Sequence, residues 1–165
     1  MLAFLRGLKA RHGGFFTASL FAVYFGVKGL AGGLAAAAAL PLFMSHYRVS
    51  IERFQTYGIA VMTPWSLKPA IGLLSDIVPI RGRSKVPYML GASAVGTACF
   101  AGLAGLGGCS PATAAALLTG ISLEAATVDL LAEGKYAEKM REHPDAGGAL
   151  PSFVWASLFA GALAA

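Results

Sequence analysis

PWSLKPAIGLLSDIVPIRGRSKVPY, residues 64–88, joins two apolar segments through a short loop rich in proline and arginine. On a helix at about 100° per residue, Pro64, Trp65, Lys68, Gly72, Ser75 and Asp76 share an arc of about 140°. Leu67, Ala70, Ile71, Leu73 and Leu74 fill most of the remainder. One side is therefore apolar, and the other carries an aromatic ring, a cation, a glycine and a carboxylate. The flanking segments are too apolar for a helix in water, so this stripe is expected to face other helices.

The whole composition agrees. The chain has 165 residues, 56% of them hydrophobic and 13% charged, with 21 glycines and a mean hydropathy of +0.66. A soluble domain carries about 25% charged residues. Half that charge, with long apolar runs, indicates an all-α, multi-span membrane protein. The net charge of +5 needs no nucleic-acid partner to explain it. Most cations lie in short segments between apolar runs, where they orient a chain in a bilayer.

Outward from the opening stretch, five spans are expected: Phe15–Met44, Gln55–Ser75, Pro87–Gly107, Ala112–Ala132 and a last one from Leu150 to the end. The first has 30 residues, about 45 Å of helix against a core of about 30 Å, so it must tilt or extend past the interface. Within it, Gly29 and Gly33 form a G-x-x-x-G packing face. Residues 1–14 carry Arg6, Lys9 and Arg11 and no acid; residues 76–86 carry Arg81, Arg83 and Lys85; residues 133–148 carry Lys135, Lys139 and Arg141. Arg48 and Arg53 occupy the loop on the other side. This bias places the amino terminus in the cytoplasm. Its rival, a secretory signal with cleavage near Ala35–Ala39, is opposed by Lys28 and by apolar sequence running on to Met44. The charged segment 133–148 reads as a short interfacial helix ended by Pro144. Ala164-Ala165 falls inside an apolar run of about 15 residues, short for a span, which implies a fragment of a longer protein.

The pattern P-W-x-x-K-P-x-x-G-x-x-S-D at 64–76, then P-I-x-G-R and P-Y, resembles the second helix and following loop of the folate–biopterin transporter family, a branch of the major facilitator superfamily. Gly72, Asp76, Gly82 and Arg83 also resemble the superfamily's G-x-x-x-D-x-x-G-R loop. Five residues instead of two separate Asp76 from Gly82, a spacing that the branch itself shows. The resemblance implies the N-terminal helices of a major-facilitator bundle. It also implies secondary transport of a pterin- or folate-like anion by alternating access. It assigns gating to the loop residues Gly72, Asp76, Arg81, Gly82 and Arg83 and to Asp129 and Glu133, an acidic patch at the end of the fourth span. That patch is expected to meet Arg81 or Arg83, and Asp76 to meet Arg83.

Four further residues are candidates for substrate binding or ion coupling: Lys28, Lys68, Trp65 and Glu124. A lysine at a helix centre costs about 2.5–3.5 kcal/mol on insertion scales, so Lys28 and Lys68 must face a cavity or an acid. They attract an anionic substrate on one reading, and pair internally with Glu124 or Asp129 on the other. Trp65 either stacks on a flat pteridine or simply packs. A buried carboxylate such as Glu124 resists ionisation and can exchange a proton during transport, or is a paired structural acid.

Catalytic chemistry is not legible. H-x-x-x-H, C-x-x-C, G-x-S-x-G and P-loop patterns are missing, Cys99 and Cys109 lack metal-ligand spacing, and His12, His46 and His143 are scattered. No cofactor, metal or enzymatic role is expected. A membrane enzyme built on Glu124, Asp129 and Glu133 would need histidine at E-x-x-H spacing. Transport of another small solute, or a non-transporting scaffold, remain alternatives.

Overall fold

The computed structural model describes residues 2–105, 108–142, 144 and 148–165. Among the described residues eight α-helices follow one another: α1 Leu2–His12, α2 Gly14–Phe21, α3 Gly32–Pro41, α4 Ile51–Ser66, α5 Lys68–Ile77, α6 Val86–Gly105, α7 Pro111–Glu142 and α8 Ala149–Ala164. Two π-helical segments, Ala22–Ala31 and Leu42–His46, join α2 to α3 and extend α3. Among the described residues the sole β-type pairing is an isolated bridge between Ile80 and Arg83.

The chain is all-α and transmembrane. Gly14–His46, Val86–Gly105 and Pro111–Glu142 are long and apolar enough to cross a membrane, and Ala149–Ala164 is a shorter apolar helix. Large apolar side chains stand outward, among them Ile59, Leu90 and Leu163 at 73%, 67% and 89% exposure, as lipid-facing positions require.

Two expectations are modified. The second span is not one helix: α4 ends at Ser66 and α5 starts at Lys68. Pro69 has no N–H for the Trp65 carbonyl, and its ring crowds that carbonyl. The Leu67 N–H is shared between Thr63 and Pro64 carbonyls at 3.3 and 3.2 Å, which tightens the last turn of α4. The fourth span and the charged segment, by contrast, form one unbroken helix to Glu142. The expected stop at Pro144 falls beside His143 and residues 145–147, which lie outside the described residues.

The chain divides into two compact units, residues 1–34 with 132–165 and residues 35–131. In the first, the π-helical segment packs on α8 through glycine. A Cβ on Gly29 would stand 2.7 Å from the Leu158 carbonyl oxygen and 2.9 Å from the Cα of Gly161. A Cβ on Gly33 would meet Ala165 at 2.8 Å. The G-x-x-x-G face thus meets small residues spaced four apart, Gly161 on α8 and Ala165 just beyond it, and at Gly29 backbone touches backbone. In the second unit Phe43, 2% exposed, is enclosed by Ala114, Ala115, Leu118 and Ile121 of α7. Its ring lies 5.3 Å from Tyr57 and 5.8 Å from Phe54 of α4.

Replacing Gly161 with valine puts side-chain atoms into the Phe25 carbonyl and the Gly29 backbone. Such overpacking costs about 1–3 kcal/mol. The expected result is a lower melting temperature of the purified protein in detergent. Gly58→Ala, where a Cβ meets nothing within 4 Å, is the control and leaves melting unchanged or raised.

Candidate functional site

Lys68 opens α5 just beyond the proline-driven break, and its Nζ lies 2.6 Å from Oδ2 of Asp129 on α7. The lysine side chain is 21% exposed and the aspartate 2%. The same Nζ stands 4.5 Å from the centroid of the Trp65 ring, a cation–π contact worth about 0.5–2 kcal/mol. Leu130 lies 3.4 Å from where a Gly72 Cβ would be, so α5 and α7 approach closely beside the pair. Of the acids considered for Lys68, the structure supplies Asp129.

Glu124, 6% exposed, projects from α7 onto α6. Its side chain occupies the space where a Gly96 Cβ would be, with Glu124 Cβ 2.7 Å from that position, and the Ser93 hydroxyl lies beside its carboxyl group. One turn before, Gly120 receives the Cys99 sulfur in the same manner, so Cys99 is a packing residue.

The loop after α5 is built by turn chemistry. Ile80 and Arg83 exchange backbone hydrogen bonds at 3.0 and 3.1 Å. The two residues between them, Arg81 and Gly82, have φ of 52° and 73°, the two positive values of a type I′ turn. Tyr88 at the start of α6 donates to the Val78 carbonyl at 2.8 Å and holds the loop to the helix. Asp76, Arg81 and Arg83 are exposed, and among the described residues no ion pair joins Asp76 to Arg83. Asp129 meets Lys68. Glu133 is half-buried on α7. Lys28 lies in the π-helical segment, 5.6 Å from the Tyr24 ring, and Tyr24 in turn packs on Tyr136 at 6.4 Å.

Sequence reasoning passed over three features. Ser93 and Gly96 acquire meaning only from Glu124, about 30 residues away. Tyr47 and Cys109 form an O–S hydrogen bond of 2.9 Å that ties the loop before α4 to the start of α7; that bond, with burial, holds the phenol above its usual pKa of 10.0. Gln55, Gly58, Ile59, Met62, Thr63 and Ser66 line an open groove of about 500 Å³ along α4, and their three- and four-residue spacing puts them on one face. Among the described residues no group of three or more His, Cys, Asp or Glu could hold a metal ion.

Ionisable side chains within apolar helices, here Lys68 against the buried Asp129 and Glu124 against Gly96, mark functional sites in membrane proteins. The sequence profile of the BT1 family matches residues 28–165, from Lys28 through both acids to the end. The chain belongs to the BT1 family. Among curated proteins this BT1-family chain is similar to "Probable folate-biopterin transporter 4" of Arabidopsis thaliana, 31% identical over 102 residues. That match covers 59% of the chain and 21% of the relative, so the chain spans about a fifth of the relative's length. No solved structure matches.

Removing one partner of a buried pair costs about 3–5 kcal/mol. Lys68→Met and Asp129→Asn should each lower the melting temperature, and the double variant should be less destabilised than the sum of the two. A thermal double-mutant cycle showing strict additivity would remove the pair.

Proposed function

We propose that the whole protein is a secondary transporter that carries a pterin- or folate-like organic anion across a membrane by alternating access, driven by a coupled ion. The observation that carries this reading is the Lys68–Asp129 pair beside Trp65, in a chain whose family and relative point to folate–biopterin transport. Asp129 satisfies the ammonium of Lys68. A substrate carboxylate competes for that ammonium, and a flat pteridine stacks on indole. Cargo binding then breaks a contact between α5 and α7, which is the kind of differential interaction that shifts a conformational equilibrium. Lys28 is a second cation for the substrate. Glu124 serves coupling.

The gating reading rests on the loop. The I′ turn presents Arg81 and Arg83 outward, where they can engage Asp76, Glu133 or the carboxylates of a second half of the bundle in one access state. The major-facilitator arrangement of two similar halves supplies that partner. The cation bias of residues 1–14, 76–86 and 133–148 puts the amino terminus on the cytoplasmic side. The protein is then a carrier rather than an enzyme, with a small anion and the bilayer as its partners.

Transport by the whole protein in liposomes tests this. Folate carries glutamate carboxylates and biopterin carries none. Lys68→Ala should therefore raise the KM for folate by tenfold or more, the loss of one charge-assisted hydrogen bond of about 1.5–3 kcal/mol. Its effect on biopterin should be smaller. Equal behaviour of Lys68→Ala and wild type towards every anionic substrate would remove Lys68 from the site. Full transport by a Lys68→Asp, Asp129→Lys swap would make the pair purely structural.

A further inference from the structure

We propose that Glu124 is the binding site of the coupled proton and that Gly96 and Ser93 form its socket, an inference that rests on the transporter reading above. Glu124 lies about 20 Å along α7 from its Pro111 end, near the middle of a bilayer-spanning helix. A carboxylate there is expensive unless a cation faces it, and the chain shows the paired solution a few residues on, at Asp129 and Lys68. Glu124 is met differently. It enters a notch on α6 that exists only because residue 96 has no side chain, and the group offered to it is the Ser93 hydroxyl.

The titratable groups around it are few. Helix α6 contains no Asp, Glu, Lys, Arg or His; its titratable side chains are Tyr88 near its start and Cys99, which packs on Gly120. Helix α5, packed further along α7 at Leu130, brings Lys68, engaged with Asp129, and the exposed Asp76. A hydroxyl accepts from a carboxylic acid and donates to a carboxylate, so Ser93 serves both states of Glu124. Among the described residues the socket offers no fixed positive charge, so a proton is the ligand its chemistry fits. The exchange is a single O–H bond made or broken, with water giving or taking the proton. The neutral acid rests against Gly96 and keeps α6 closed on α7; the anion leaves the notch for water, and α6 is released. Gly96 and Ser93 are thus positioning residues for a proton carried by Glu124.

The test uses the whole protein in liposomes with two transport readouts. One is counterflow of labelled folate at equal pH on both sides, which needs no net proton movement. The other is accumulation driven by an imposed pH gradient. Wild type should do both. Glu124→Gln should keep counterflow and lose gradient-driven accumulation. Gly96→Ala fills the notch and should give the same loss; Gly96→Ala with Glu124→Asp, one methylene shorter, should recover part of it. Gradient-driven accumulation by Glu124→Gln at the wild-type level would overturn the proposal. So would loss of counterflow in a folded Glu124→Gln protein, which would make Glu124 a substrate or structural group.

A cargo-independent measurement separates this from the transporter reading. Infrared difference spectra of the purified protein between acid and alkaline samples should contain a protonated-carboxyl band that Glu124→Gln abolishes and Ser93→Ala shifts. If wild type shows no counterflow with folate or biopterin, the cargo reading fails while the band still decides the proton site. A wild-type spectrum with no band belonging to Glu124 overturns the proposal whatever the cargo.

Discussion

The constraint on which this chain depends is the cost of a charge inside apolar helices. Lys68 is the sharpest case, because it begins α5. The unsatisfied N–H groups at a helix start carry partial positive charge and disfavour a cation. An ammonium at that point needs an anion more than one elsewhere would. Asp129 supplies it. Its 2.6 Å contact requires α5 and α7 to run close, and Gly72 opposite Leu130 permits it. The break at Leu67, the glycine and the pair form one arrangement: the proline sets where α5 begins, and the glycine sets how near it comes.

Much of the fold was legible because a bilayer leaves so few options. Long runs of low charge become helices, since every backbone polar group must be satisfied within the segment. That logic reaches the helices but not their partners or their local bonding. Pro69 was visible in the sequence, yet whether it bends a helix or divides it depends on how the turn at Leu67 shares its hydrogen bonds. The π-helical segment Ala22–Ala31 has no pattern of its own; the Gly29–Gly161 contact shows the backbone fit that it serves. The continuous α7 was hidden by composition, because residues after Ala132 change from apolar to charged while their helix propensity stays high. Exposed i,i+3 pairs, Lys135–Glu138 and Lys139–Glu142, accompany that stretch, each adding a few tenths of a kcal/mol (about 0.2–0.5).

The loop shows how a motif divides into geometry and chemistry. Gly82 stands where φ is 73°, and Arg81 beside it pays the smaller strain of φ 52°. Tyr88 anchors the loop through its hydroxyl, and Ile80 with Arg83 closes it. Most of P-I-x-G-R and P-Y is therefore explained by the need for a compact, defined reversal between two helices. What geometry leaves unexplained is the charge: the guanidinium groups of Arg81 and Arg83 make no contact that the turn needs. A functional reading of this loop should rest on those two groups, and the glycine and tyrosine belong to the scaffold that aims them.

The glycines divide in the same way. Apolar side chains gain little by leaving lipid for one another, so helices associate through close backbone contact. Gly29, Gly33 and Gly161 do this, each bringing main chain against a neighbouring helix. Gly96 differs in what fills the space it leaves, an ionisable side chain from another helix. A glycine that served packing alone would be best matched by an apolar residue opposite, since that avoids burying a carboxyl group. Glu124 in that position is a local cost with no packing gain. Lys68 and Asp129 offset their costs against each other. Among the described residues the carboxyl group on Gly96 meets no such cation, and this asymmetry between two acids on one helix is what the proposed proton site rests on.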